Sequence, residues 1–225
     1  MKILQTNFFG DYNLGIYGKA CDKFCLLGSF IPQNLKKKIE EFLKVKVYPI
    51  TLARTDLVGI FCSFNSKGIV LPKILTEKEL NSLKELGKEL GINFGIIKTK
   101  FTALGNLILC NDNGALVSKL FSRKEKEKIE DLLGVECEYL SIAGIKTLGT
   151  CGIATNKGCI IHRDANEEEI KTAEEVLKVS VDVGTANFGS PFLGACGFAN
   201  SNGAVIGGLT SGPEFARISE ALGLI

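Results

Sequence analysis

A glycine returns every 44 to 46 residues along this 225-residue chain, at Gly15, Gly59, Gly105, Gly149 and Gly194. Each follows an apolar residue: Leu14, Val58, Leu104, Leu148 or Leu193. Nine positions later comes a turn position, Phe24, Gly68, Gly114, Gly158 or Gly203. Eight further on stand Pro32, Thr76, Ser122, Asn166 and Ser211, where helices are expected to begin. Fixed offsets in five copies mean one supersecondary unit repeated five times. The units are expected at about 1–44, 45–91, 92–134, 135–178 and 179–225 of a single domain.

Each unit opens on a short apolar run, such as Val45-Lys46-Val47-Tyr48, Ile92-Asn93-Phe94, Val135-Glu136-Cys137 or Val179-Ser180-Val181. Alternation and β-branched content predict a strand there. After the framework glycine a second strand is expected, for example Ile60-Phe61-Cys62-Ser63-Phe64. Asn65-Ser66-Lys67-Gly68 and its counterparts ending at Gly114, Gly158 and Gly203 read as hairpin turns, with the glycine supplying a positive φ. A third strand follows, as in Ile69-Val70-Leu71 or Ala115-Leu116-Val117.

Thr76 with Glu79, Ser122 with Glu125, Asn166 with Glu169 and Ser211 with Glu214 have the spacing of a capping box. Apolar residues seven and ten positions on, such as Leu83 and Leu86, share one helical face. Gly91, Gly134 and Gly223 then stand where a left-handed residue ends a helix. The first copy keeps the register at Ile39 and Phe42 but lacks the turn glycine and the cap, so a different hairpin turn is expected there. One helix over one small sheet cannot bury enough surface alone, so the units must stack. Met1 to Thr6 reads as a strand in the register missing after the fifth helix, which predicts closure. The fold class expected is α/β: a closed five-bladed ring of β-β-β-α repeats with pseudo-fivefold symmetry.

Lysine and arginine total 27 against 25 acidic residues, which argues against a protein that binds nucleic acid by net charge alone. The run Lys36-Lys37-Lys38 with Lys44 and Lys46 is interrupted by Glu40 and Glu41 and reads as a solvated helix face. No apolar stretch approaches the roughly 18 residues of a membrane span. Gln5, Thr6 and Asn7 interrupt any signal-peptide core, so a cytoplasmic chain is expected. Eight cysteines include Cys21, Cys25, Cys62, Cys110, Cys151, Cys159 and Cys196, but no C-x-x-C pair, and there is one histidine. They read as small buried hydrophobes in a reducing compartment, and no metal site or cofactor is expected.

Gly10 and Gly15 have P-loop spacing, yet Ile16 stands where lysine is required, and no G-x-G-x-x-G occurs. His162-Arg163-Asp164, together with Cys196, suggests a nucleophile and its general base. Guanidine-modifying penteins are five-unit β/α rings that set a cysteine, a histidine and acidic residues around a central pore. A hydrolase of that type, using Cys196 and His162, is therefore the alternative reading. Repeat register puts His162 past a third strand and Cys196 at the opening of a second, at different heights.

Ala103-Leu104-Gly105-Asn106 leading to Cys110-Asn111-Asp112 and Ala115-Leu116-Val117 resembles the translation initiation factor six family. So does Gly184-Thr185-Ala186-Asn187-Phe188-Gly189-Ser190. The resemblance spans the chain and implies the pentein ring and a non-enzymatic role, with no small-molecule substrate and no membrane. Family members are ribosome anti-association factors of archaea and eukaryotes. They bind the large ribosomal subunit beside a ribosomal protein and near the sarcin–ricin loop, and block small-subunit joining. A chain ending at Ile225 is expected to lack the tail of eukaryotic members, as in the archaeal form, and to act as a monomer. The resemblance places ribosome contacts just after the framework glycines, first at Asn106. Ile60 holds the equivalent place where eukaryotic members have arginine. Symmetry extends the set to Ile16, Thr150 and Ala195, with Arg54, Asp56 and Asn187 in the preceding loops.

Overall fold

The computed structural model describes residues 2–225; Met1, which opens the expected closing segment, lies outside them. Strand β1 (Ile3–Thr6) is followed by the first hairpin, β2 (Gly18–Ala20) with β3 (Cys25–Gly28). Helix α1 (Gln33–Leu43) then leads to β4 (Val47–Ile50), which joins β3 in parallel. The pattern repeats with β5 (Ser63–Phe64), β6 (Gly68–Pro72), α2 (Glu77–Leu90) and β7 (Asn93–Ile97). It repeats again with β8 (Ile108–Cys110), β9 (Gly114–Ser118), α3 (Arg123–Leu133) and β10 (Glu136–Leu140). The fourth set is β11 (Gly152–Ala154), β12 (Cys159–His162), α4 (Glu167–Leu177) and β13 (Val181–Gly184). The last is β14 (Gly197–Ala199), β15 (Ala204–Gly207) and α5 (Gly212–Ala221).

Five three-stranded sheets result, each a hairpin plus the opening strand of the next repeat. The fifth hairpin takes β1 as that strand, with Ile3 opposite Ala204 and Thr6 opposite Gly207. Every repeat is thus strapped to its neighbour, and the first strand completes the last sheet. The framework glycines form a second closed circuit at the centre. A Cβ on Gly59 would overlap the carbonyl oxygen of Gly15, and one on Gly105 that of Gly59. The same holds for Gly149 on Gly105, Gly194 on Gly149 and Gly15 on Gly194. Only a residue with no side chain permits backbones to meet at this distance.

The helices fill the wedges between sheets. Ile129, Leu132 and Leu133 of α3 pack with Val70 and Ile97 of one sheet and Cys137 of the next. Fully burying such a side chain contributes about 1.5–3 kcal/mol, and five clusters of this kind form the core. Capping boxes hold the starts of α2, α3, α4 and α5, while Pro32 leads α1 without a side-chain cap. Gly91, Gly134 and Gly223 take φ of 60°, 61° and 62°.

Three local expectations require correction. The predicted second strand is shorter, because Val58–Phe61 makes one helical turn and only Ser63–Phe64 pairs as a strand. Equivalent turns occupy Leu14–Ile16, Leu104–Leu107, Leu148–Thr150 and Leu193–Cys196. The apolar, β-branched composition of Ile60-Phe61 suited a strand, but the glycine circuit needs the tighter backbone.

The turn glycines are not there for positive φ, since none of Gly68, Gly114, Gly158 or Gly203 has one. They are there because the neighbouring helix end presses on them. A Cβ on Gly68 would overlap the Leu132 carbonyl oxygen, and one on Gly114 that of Val176.

The first copy also uses the same turn as the others: the Cys21 amide donates to Phe24 O at 3.0 Å, as Asn65 does to Gly68 O at 3.1 Å. Phe24 instead stacks on Phe64 at 4.7 Å between centroids, in a wedge served by α2, which at 14 residues is the longest helix.

Candidate functional site

The parallel register of β6 and β7, Gly68 opposite Asn93 and Pro72 opposite Ile97, sends both strands out at the same end. The hairpin turns therefore gather at one end of the ring, and the loops entering helices and helical turns gather at the other. Most of these loops are tight reversals. Leu52 and Thr55 exchange both backbone hydrogen bonds (2.9 and 3.0 Å) around Ala53 and Arg54, whose φ values are 53° and 61°. Phe8 and Asp11, Ile142 and Ile145, and Ala186 and Ser190 do the same. Consecutive non-glycine residues at positive φ are costly and persist only where their surroundings hold them.

In three of these four loops the holder is the capping-box glutamate; in the first, Asn7 Oδ1 accepts from the Gly10 amide at 2.9 Å. Glu79 accepts from the Arg54 amide (2.8 Å) as well as the Thr76 amide (2.8 Å). Glu169 does likewise for Ala143 at 2.9 Å, and Glu214 for Gly189 at 2.8 Å and Phe188 at 3.2 Å. One carboxylate thus caps a helix and fixes a loop tip. Burial pushes the Glu214 carboxyl up, but donors from Ser211, Thr185 and the Gly189 amide outweigh it and hold the group at about 2.

Ile16, Ile60, Asn106, Thr150 and Ala195 each occupy the same position of their helical turn, half-buried around the loop end of the central channel. Ile16, Asn106 and Ala195 line the channel itself. The Asn106 amide N–H donates to Ala103 O (3.1 Å), and its side chain takes no part in the cap of its turn. Arg54 is exposed at its loop tip. Asp56 is engaged inside the protein, accepting from Ser29 Oγ (2.8 Å) and the Phe30 amide (3.3 Å) across to the first blade. Asn187 Nδ2 donates to Tyr12 O (2.7 Å), joining the fifth blade to the first. All eight therefore share one end of the ring, three of them on the channel and two as interblade ties.

The channel has a volume of about 40 Å³ and is lined largely by glycine, alanine and apolar side chains. Its one charged lining residue is Lys19, whose Nζ lies 3.4 Å from Ser63 Oγ and 3.5 Å from Gly105 O. Burial lowers its pKa, against the smaller opposite effect of Cys110 and Cys62.

Neither Cys196 nor His162 lines the channel. Cys196 is wholly buried at the end of its helical turn, and burial pushes its thiol up. His162 ends β12 with Nδ1 accepting from the Asp164 amide (3.1 Å) and its ring edge-on to Phe192. All eight cysteines are buried and free. No group of three potential metal ligands comes together among the described residues. None of the described helices is long and apolar enough to cross a membrane.

The opposite end is sealed by its own side chains. Asp112 accepts from the Ser66 amide (2.7 Å) and hydroxyl (2.8 Å), and from Asn156 Nδ2 (2.7 Å). Asn156 Nδ2 also reaches Asp22 (2.8 Å), which accepts from the Ser201 amide and hydroxyl, both at 2.7 Å. Asn65, Asn111 and Asn200 add bonds from their turns to the next turn and to a helix end.

Sequence reasoning missed two features of the loop end. Phe9 and Phe188 stand 73% and 84% exposed at loop tips with positive φ. Lys98 and Lys100 occupy the one such loop with no bridge closing it. An aromatic beside a turn glycine, as in Phe9-Gly10 and Phe188-Gly189, was the signal available for the first.

A family model described as the eIF-6 family matches residues 3–221. A curated relative from Pyrococcus abyssi named translation initiation factor 6 is 44% identical over 227 residues, with 100% of both chains covered. One of the same name from Methanococcus vannielii is 40% identical over 226 residues, with 99% of each chain covered. The relative from Pyrococcus furiosus, again of that name, is 44% identical over 227 residues with both chains fully covered. A five-bladed ring and relatives that align end to end lead to one conclusion: the chain belongs to the eIF-6 family of translation initiation factors.

Proposed function

We propose that this factor docks its loop end on the large ribosomal subunit and blocks joining of the small subunit by occupying the surface between them. The observation that carries this is the asymmetry of the ring. Exposed aromatics at positive-φ loop tips, the Asn106 side chain and an unpaired lysine-rimmed groove gather at the loop end. The turn end spends its polar groups on itself. Exposed apolar side chains on a rigid frame suit a protein partner, and lysines beside them suit ribosomal RNA. The mechanism is occlusion by a rigid body, with no covalent step and no cofactor, in the compartment where translation occurs. The site is expected to lie beside a ribosomal protein and near the sarcin–ricin loop, as in the family it belongs to.

The test is co-sedimentation with separated subunits, followed by a subunit-joining assay. Pelleting with the large subunit and reduced joining support the reading. Failure to pellet with either subunit overturns it.

A further inference from the structure

Fivefold symmetry fails at one place on the loop end, and the failure opens a groove. Four blades close the loop after their parallel strand with a bridged reversal, but the segment from Lys98 to Ala103 carries no such bridge. There Glu125 receives no loop amide. It accepts from the Ser122 amide (2.6 Å) and hydroxyl (2.8 Å) of its own cap, while a Thr99 side-chain hydrogen bond and the Lys100 charge help lower its pKa against the effect of burial.

An open groove of about 900 Å³ lies between this loop and the start of α3. Ile96, Phe101, Leu120 and Phe121 contribute its apolar side chains, with Phe101 edge-on to Phe121 at 6.0 Å. Lys73, Lys98 and Lys100 stand on its rim, all exposed, and none pairs with a carboxylate among the described residues. Lys100 Nζ lies 5.2 Å from the Phe101 ring centroid, so charge and ring are presented together. The lone carboxylate in the groove, Glu125, is committed to its cap. By contrast, the loop of the fifth blade, residues 185–192, carries no charged residue at all.

We infer that this groove is the RNA-binding part of the loop end, holding a strand of large-subunit ribosomal RNA with phosphates on Lys73, Lys98 and Lys100 and an unpaired base against Phe101 and Leu120. The inference rests on the large-subunit reading above. Ammonium groups around an aromatic floor are the pattern that binds single-stranded or looped RNA without reading a duplex groove. An acidic protein segment would satisfy the lysines but would leave the aromatic floor uncovered.

The test measures large-subunit affinity as a function of salt for the wild-type chain and the Lys73→Ala/Lys98→Ala/Lys100→Ala variant. A Lys23→Ala/Lys84→Ala/Lys88→Ala variant, at the first hairpin turn and on the later part of α2, controls for net charge. The groove variant is expected to bind at least about tenfold more weakly, with its log–log salt slope reduced by about 2 to 3, one phosphate per lysine. The control is expected to keep the wild-type slope. Ultraviolet crosslinking of the wild-type complex is expected to leave nucleotide adducts on the peptide containing Phe101.

A wild-type chain that does not bind the large subunit overturns the docking reading itself, and this inference with it. A wild-type chain that binds, with a groove variant matching it in affinity and slope, overturns the groove alone. Crosslinks from Phe101 to protein only also overturn it, and assign the groove to a ribosomal protein.

Discussion

The two ends of the ring are built from the same repeat and treat their polar groups in opposite ways. At the turn end, Ser66, Asp112, Asn156, Asp22 and Ser201 meet across the channel and satisfy one another. At the loop end, capping glutamates hold the strained tips of Arg54 and Phe188, and Asn7 holds that of Phe9, leaving all three side chains exposed. Fivefold repetition makes every position available five times, so departures from it are informative. At the turn end, departures such as Asp22 and Asp112 complete a closed network. At the loop end they leave aromatics on one side and lysines on another. The polar network spans the turn end, while the loop end ties blades only pairwise, through Asp56 and Asn187.

The comparison can be broken hardest at the central glycine circuit, on which both ends depend. Gly105→Val puts a side chain into the Gly59 carbonyl, so no folded monomer is expected, a loss exceeding about 4 kcal/mol. Circular dichroism and gel filtration would check it. At the turn end, Asp112→Ala strands the Ser66 and Asn156 donors. It is expected to cost roughly 2–3 kcal/mol in chemical denaturation, while the folded fraction keeps its affinity for the large subunit.

Glu214 tests the holding of the loop tips. Its carboxyl titrates at about 2 in the folded chain against 4.5 ordinarily. A depressed value contributes stability that is present above about pH 5 and lost as pH falls towards 2. Glu214→Gln should therefore lower stability by about 1–2 kcal/mol at neutral pH, allowing for solvent screening. It should also flatten the acid limb of a denaturation series. The smallest expected effect on stability, and the sharpest on the comparison, comes from Phe188→Ser. The side chain is 84% exposed, so melting should shift little, whereas subunit affinity should fall roughly tenfold if it anchors the contact.

Much of this ring was legible in the sequence, because repetition multiplies weak signals. Four capping boxes, the helix-ending glycines and the closing strand all follow from residue types at fixed offsets. The helical turns were not legible. Val58-Gly59-Ile60-Phe61 is as apolar as a strand, and only the contact of Gly59 with Gly15 requires it to coil. The turn glycines were found for the wrong reason, since a helix end from the next repeat decides them and no local pattern shows it. The interblade ties of Asp56 and Asn187 were not legible either, since their partners lie 26 or 27 and 175 residues away in the chain. Phe9 and Phe188 escaped notice because an aromatic at positive φ is not what local propensity suggests.

The central claim is that the loop end, and not the turn end, faces the ribosome. Hydrogen–deuterium exchange of the chain bound to purified large subunits tests it directly. Binding should slow exchange in residues 7–12, 51–56, 98–103 and 185–192 and leave the turns at 65–68, 111–114, 155–158 and 200–203 as they are in the free chain. Protection confined to those turns, with the loops unchanged, would contradict the account.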